Sequence, residues 1–256
     1  MVAATPEFVL SELFAADETN ALPRDDIARQ AAVSTALLSI LRGRFCEVLL
    51  PNRKATAFNK NDVIYNVGDR SQTLFFLQSG FVKVGAIASS GQEVIYDVRR
   101  KDDVVGELCA SELERPDRAV ALERTEAISV PFQEIKDILR TRPDLMMAIF
   151  DVFCRALKEA YAQINTLAAD NTVQRLARIL VSLANKIGRK SESLIEIPTY
   201  LTQEEIAQMV IARRERISTA LNFLRRQGMV QYTARGHLMI DLRKLESISS
   251  NSQIPG

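Results

Sequence analysis

Four consecutive charged residues, Arg213, Arg214, Glu215 and Arg216, stand between apolar neighbours in the stretch "VIARRERIS". Arginine grips guanine O6 and N7 with two parallel hydrogen bonds, and glutamate accepts from cytosine N4. Each such pair is worth roughly 1–3 kcal/mol of discrimination against a wrong base. Ile217, Leu221 and Leu224 follow at helical spacing, so the run occupies the first turn of a helix and projects away from its apolar stripe. Three cations at a helix N-terminus oppose the macrodipole, at a cost of roughly 0.3–1 kcal/mol each when exposed. A merely solvated helix end favours acids at that position, so the placement points to an anionic partner. The first turn of a recognition helix is the part that reaches base edges in the major groove, and double-stranded DNA is the partner this arrangement fits. A solvated charge cluster is the bland alternative.

The elements that must position this turn lie around it. Thr202 and Glu205 form a T-x-x-E capping box, so a helix starts there, with Ile206 and Val210 on one face and the small Ala207 where a second helix would cross. Two short helices with a break of three or four residues make a helix-turn-helix. The following "GMVQYTARGHLMI" (228–240) reads as a β-hairpin turning at Arg235-Gly236, the wing of a winged helix. Arg235 and His237 in it either touch phosphate or are simply exposed. Upstream, Leu176, Ile179, Leu180 and Leu183 predict an amphipathic helix over 173–187. "GRKSES" (188–193) reads as a loop and "LIEIP" (194–198) as a short strand. Charge supports the division. Residues 172–256 hold 13 Lys+Arg against 7 Asp+Glu, and 1–171 hold 20 against 25, so +6 against −5. An acidic body with a basic end is a nucleic-acid pattern, though a solvated basic face would give it as well.

From about 56 to 132 the texture is different. "DVIYNV" (62–67), "TLFFLQ" (73–78), "FVKVGAIA" (81–88) and "EVIYDV" (93–98) are short, rich in β-branched and aromatic residues, and separated by turn signals at Gly68, Gly80 and Gly91. They predict an antiparallel barrel or sandwich. After Pro143, apolar residues at Phe150, Phe153, Leu157, Ala160, Ile164 and Leu167 alternate by three and four, an a/d seam over about three heptads. Such a seam predicts a parallel homodimer helix, with ordinary packing on its own barrel as the alternative. "ADNTVQ" (169–174) interrupts it. Asn171 is an N-cap for a helix starting near Val173, and a hinge belongs there. Residues 1–40 predict some helix.

Several function classes are excluded or disfavoured. Cys46, Cys109 and Cys154 are scattered and odd in number, and His237 is the one histidine. No disulfide framework, cysteine metal site or histidine relay can be drawn from them. No nucleophile–base pair, metal cluster or nucleotide-hydrolysing loop is visible, so an enzyme is not expected. No apolar run reaches the roughly 18 residues of a membrane span, and the N-terminus lacks the pattern of a signal peptide. A cytoplasmic protein without a membrane partner is expected.

With these pieces in place, the chain resembles the catabolite-activator (Crp/Fnr) family of bacterial transcription regulators over about 56–243. "TQEEIAQMVIARRERISTALNFL" (202–224) is similar to the family's helix-turn-helix without a gap. The resemblance implies an α+β fold: a β-roll of the cyclic-nucleotide-binding type (41–142) after an N-terminal extension (1–40), a long dimerisation helix and hinge (143–170), and a winged helix-turn-helix (171–256). It implies a homodimer on a near-palindromic site. Arg214 and Glu215 match the family's base-reading pair, flanked by Arg213 and Arg216, with Thr202 and Gln203 at the start of the first helix. Where the family has a further base-reading arginine, this chain has Thr219. Where the family has a turn glycine, it has Ile211.

"GELCASELERPDRAV" (106–120) resembles the phosphate-binding cassette of cyclic-nucleotide domains. A helix start with backbone N–H groups, plus an arginine, suits a phosphate. The resemblance implies an effector site of Gly106, Glu107, Leu108, Arg118 and Ala119, with Glu107 on the ribose and Arg118 on the cyclic phosphate of cyclic AMP or cyclic GMP. The family's adenine-reading pair aligns with Ala160-Tyr161, so Tyr161 either stacks on a base or fills the pocket. The alternative for Glu107 and Arg118 is a buried ion pair with each other, or a site for another ligand. The haem and iron–sulfur branches are not expected, because the sensor region has no histidine and the N-terminus no cysteine cluster. RNA polymerase is a further partner the family allows. The competing reading is a regulator without an effector, or a ligand-binding or interaction module that has lost DNA function, which Ile211 and Thr219 favour.

Overall fold

The computed structural model describes residues 50, 52–110 and 114–250. The extension expected over 1–40 lies outside them. The short β-branched runs form eight strands: β1 (Thr56–Phe58), β2 (Val63–Tyr65), β3 (Thr73–Ser79), β4 (Phe81–Ile87), β5 (Glu93–Arg100), β6 (Val104–Val105), β7 (Arg118–Ala121) and β8 (Thr125–Pro131). They pair antiparallel in two sheets, ordered β1-β8-β3-β6 and β2-β7-β4-β5. The β3–β4 turn depends on Gly80, at φ 81°, where a Cβ would sit 2.3 Å from Thr125 Oγ1 and 2.6 Å from the Arg124 carbonyl. No side chain fits there.

Alternation along the strands decides what each face meets. Leu77, Val82, Val84, Val105, Ala119 and Ala127, drawn from both sheets, form one buried cluster. Leu74, Phe76, Ile128 and Val130 face the other way and pack on Ile135 of α1 (Phe132–Thr141) and Leu145 of α2 (Pro143–Ala169). Pro143 opens α2, at a position where its missing N–H costs nothing.

Beyond its first turns α2 leaves the body. Phe150, Phe153, Leu157, Tyr161, Ile164 and Leu167 are 41–61% exposed, and Ala160 is exposed too. The seam therefore does not pack on its own barrel. Asp170 ends α2. Asn171 starts α3 (Thr172–Ile187) with a reciprocal cap, its side chain accepting from the Gln174 amide at 3.0 Å while Gln174 accepts from the Asn171 amide at 2.9 Å.

The loop expected at 188–193 is instead a strand and a turn. β9 (Arg189–Ser191) pairs with β10 (Leu194–Glu196), and the turn puts Glu192 at φ 53°. No glycine marks that turn in the sequence, so the hairpin was hidden. α4 (Gln203–Val210), α5 (Arg214–Arg226), β11 (Val230–Tyr232), β12 (Leu238–Ile240) and α6 (Leu242–Ser250) complete the chain, with a sheet ordered β11-β12-β10-β9. Leu176, Leu180, Ile206, Ile217, Leu221 and Leu224 are at the centre of the largest cluster, each no more than 1% exposed. Phe81, Ile95, Val98 and Leu122 of the β-roll belong to that same cluster. Among the described residues no helix is long and apolar enough to cross a membrane.

Candidate nucleic-acid interface and effector pocket

The helix-turn-helix is built from a capped start, a strained turn and a charged first turn. Thr202 accepts from the Glu205 amide at 3.1 Å and Glu205 accepts from the Thr202 amide at 2.9 Å. The Thr202 hydroxyl also donates to Glu205 Oε2 at 2.9 Å, so it is committed to the cap, beside a half-buried Gln203. α4 ends at Ile211, which adopts the left-handed conformation, φ 55° and ψ 56°. The turn is thus built in the left-handed way a glycine would favour, and isoleucine carries a cost of roughly 1–2 kcal/mol there.

Arg213 is the N-cap of α5 without a side-chain cap bond. Arg213, Arg214, Glu215 and Arg216 are all exposed, while Ile217, Ala220, Leu221 and Leu224 are buried. The core residues thus aim the four charged ones outward. Thr219 is exposed, and its hydroxyl donates to the Glu215 carbonyl at 3.0 Å. A hydroxyl spent on its own helix offers no further donor.

The wing forms as expected, with Gly236 at φ 79° in its turn. Arg235 is exposed. His237 is not simply exposed. It is half-buried, its Nδ1 2.9 Å from Glu196 Oε1 on β10. Arg225 lies over the Tyr232 ring at 5.4 Å, holding the end of α5 to the wing.

In the β-roll, Gly106 stands at φ 92°, and a Cβ there would meet Arg115 Nη1 at 2.8 Å and the Thr73 carbonyl at 2.9 Å. A single 3-10 turn follows, Glu107–Ala110. Leu108 is exposed and Ala119 fully buried. Glu107 and Arg118 do not pair with each other. Glu107 Oε1 accepts from Arg99 Nη2 at 2.9 Å, and Arg118 Nη1 lies 3.8 Å from Glu93 Oε1. Each keeps one buried atom without a hydrogen bond, Glu107 Oε2 and Arg118 Nε. Buried polar atoms left unpaired are costly. Tyr161 is 58% exposed on α2, so it does not fill the pocket of its own chain.

Sequence reasoning missed the residues that support this pocket. Arg115 is 1% exposed, with its guanidinium 4.0 Å from the Tyr65 ring centre and a hydrogen bond to the Gly106 carbonyl at 3.3 Å. Tyr65 donates to Asp117 at 3.0 Å. Burial pushes the Tyr65 hydroxyl well up, with the charge of Asp117 adding to it, and burial pushes the Asp117 carboxyl up as well. Glu93 opens a run (93–98) read only for its apolar members, Arg99 directly follows that run, and both lie in β5. Their charges within a strand were the available signal.

Two family models match: the cyclic nucleotide-binding domain over residues 55–142 and the Crp-like helix-turn-helix domain over 174–248. The chain is 26% identical over 189 residues to the CRP-like cAMP-activated global transcriptional regulator of Mycobacterium tuberculosis, covering 73% of this chain and 84% of that one. It is 26% identical over 181 residues to the global nitrogen regulator of Synechocystis, covering 70% and 80%. The solved structure of FixK2 from Bradyrhizobium japonicum shares the fold at a TM-score of 0.68 and 16% identity, covering 78% of this chain and 98% of that one.

Proposed function

Since the chain belongs to the Crp/Fnr family of transcription regulators and carries its DNA-binding helix-turn-helix, we propose that it acts as a homodimer reading a near-palindromic duplex under control of a cyclic nucleotide. The observation that carries the reading is the outward-facing run Arg213–Arg216 on a helix start that its own dipole disfavours. Arg214 and Glu215 read base edges. Arg213 and Arg216, with Gln203 at the start of α4, fix the register on phosphates, while Thr202, its donors spent on the cap, sets where α4 begins. The exposed face of α2 pairs with the same face of a second copy. That places two recognition helices on half-sites about 34 Å apart. Residues 41–142 are the sensor, 143–170 the dimerising helix and hinge, and 171–256 the DNA-binding part. RNA polymerase is the partner that activation would require.

In the sensor, Glu107 Oε2 takes a ribose hydroxyl and Arg118 the cyclic phosphate, which supplies the hydrogen bonds both lack. Tyr161, exposed on α2, is available to a base by stacking. The Arg99–Glu107 and Glu93–Arg118 contacts support a second reading, an effector-independent regulator whose pocket is closed by its own ion pairs.

Selection from random duplex DNA tests the first part. A recovered near-palindrome is expected, and the absence of any enriched sequence would return the chain to an interaction module. Calorimetry with cyclic AMP and cyclic GMP, with Arg118→Ala as control, decides the sensor. Micromolar binding lost in the variant is the expected result, and no heat with either nucleotide selects the second reading.

A further inference from the structure

The outer side of the β2-β7-β4-β5 sheet carries part of the helix-turn-helix core. Phe81, Ile95, Val98 and Leu122 pack into the cluster that holds Leu183, Ala207 and Val210. Two chains of ion pairs cross the same contact, and each begins on a residue assigned above to the effector. In one, Arg118 Nη1 lies 3.8 Å from Glu93 Oε1, Glu93 Oε1 lies 4.0 Å from Lys83 Nζ, and Lys83 Nζ lies 3.2 Å from Glu205 Oε1. Glu205 is the capping-box residue of α4, whose other oxygen holds the Thr202 amide. In the second, Glu107 meets Arg99 at 2.9 Å, Arg99 Nε meets Asp97 Oδ2 at 3.0 Å, and Asp97 Oδ1 meets Lys186 Nζ at 2.6 Å in the last turn of α3.

We infer that these two chains latch the DNA-binding part onto the β-roll, and that a ligand competing for Arg118 and Glu107 releases the latch. The trigger rests on the effector reading above; the latch is testable with no ligand at all.

The direction follows from charge sharing. Lys83 is divided between Glu93 and Glu205. While Arg118 helps to neutralise Glu93, Lys83 is free to serve Glu205, its nearer partner. An anionic ligand on Arg118 leaves Glu93 with Lys83 alone, and Lys83 is drawn off α4. The second chain has the same logic. A donor on Glu107 weakens its hold on Arg99, which turns to Asp97 and competes there with Lys186. These side chains are 13–31% exposed, so water and salt screen them less than open surface pairs. Coupling is reciprocal: whatever undocks α4 also favours the ligand.

Two neighbouring substitutions in the ligand-free full-length protein separate this from ordinary packing. Arg118→Met removes the partner of Glu93, as a ligand would. It is expected to speed amide hydrogen exchange in segments 203–210 and 93–100 by about fivefold or more, the lower end of typical coupling. Exchange in β3 (73–79) serves as the internal reference for global stability. Glu93→Gln removes the competitor for Lys83. It is expected to slow exchange in 203–210, because Glu205 becomes the one acid of this chain that Lys83 serves. A purely structural role loosens the protein in both variants. Exchange moving the same way in both, or unchanged in both, overturns the latch. Should Arg118→Met fail to fold, slowed exchange in Glu93→Gln supports the latch and any other result there overturns it. Calorimetry that finds no cyclic nucleotide bound speaks against the trigger and leaves these exchange outcomes as they stand.

Discussion

The Ala212 amide reaches the Ala207 carbonyl at 3.0 Å across Ile211, which stands at φ 55°. The bond closes the end of α4 and fixes the direction in which α5 leaves. Its geometry forces a β-branched residue into a region where its Cβ crowds the carbonyl. Ile211 is 40% exposed, so burial offsets only part of that strain. We expect Ile211→Gly to stabilise the protein. Relief of roughly 1–2 kcal/mol, less roughly 0.5–1 kcal/mol for the added freedom of glycine in the unfolded chain, leaves a net gain of about 0.5–1 kcal/mol. Calorimetric melting would show the midpoint rise by about 1–4 °C. A fall would mean that Ile211 makes contacts worth more than its strain.

The exposed face of α2 gives a prediction about assembly. Phe150, Phe153, Leu157, Ile164 and Leu167 leave apolar side chains exposed along α2, which water does not favour. We expect sedimentation to find a dimer, and Leu157→Glu together with Ile164→Glu to give a folded monomer. Among the described residues those side chains belong to no buried cluster, so the melting of the isolated subunit should hold. A variant that stays dimeric would place the interface elsewhere.

Asp97 and Asp103 lie six residues apart and predict opposite responses to acid. Burial pushes the Asp97 carboxyl up, but Lys186 and Arg99 outweigh it and hold it below the usual aspartate range. Burial of Asp103 wins over the same cations, and its carboxyl is raised. For Asp97 the unfolded chain binds the proton first as pH falls. Its contribution is therefore full above about pH 4, the ordinary aspartate value, and is lost as pH falls through the lower folded value. For Asp103 the folded chain binds the proton first, so stability falls as pH rises from about 4 through its raised value. Urea unfolding from pH 3 to 7 should show Asp97→Asn with a shallower acid loss than wild type, and Asp103→Asn with a steeper one. Parallel curves for all three proteins would contradict the assignment.

What could be read in the sequence was what repeats or caps. The strands between Gly68, Gly80 and Gly91, the T-x-x-E box and the Asn171 cap each carry a local signal, and each is where it was expected. The β9–β10 hairpin was illegible because Glu192 takes the positive φ that a glycine would have announced. The pocket was half legible. Glu107 and Arg118 stand in a contiguous cassette, but their partners Arg99 and Glu93 come from β5, which only the folded β-roll brings beside it. Arg115 was passed over because a buried guanidinium stacked on Tyr65 has no sequence period. The contact of the β-roll with the helix-turn-helix joins Lys83 to Glu205 across 122 residues, and no local pattern encodes such a distance.

The base-reading assignment separates Arg214 from the other cations of α5. Arg214 and Arg226 are both exposed, but Arg214 is in the first turn beside Glu215, and Arg226 is the last residue of the helix. A first-turn arginine meets base edges, whereas a cation at the far end of the helix can meet only phosphate. On the selected site, Arg214→Ala should cost about 1–3 kcal/mol and relax the preference at one base pair in each half-site. Arg226→Ala should leave the preference intact. If it contacts phosphate, binding weakens on all duplexes alike, and the slope of log affinity against log salt falls by about one for each arm of the dimer. Titrations of matched and singly mismatched duplexes at several salt concentrations measure both quantities. Uniform weakening by Arg214→Ala, with every base preference kept, would move base reading to another residue of the first turn.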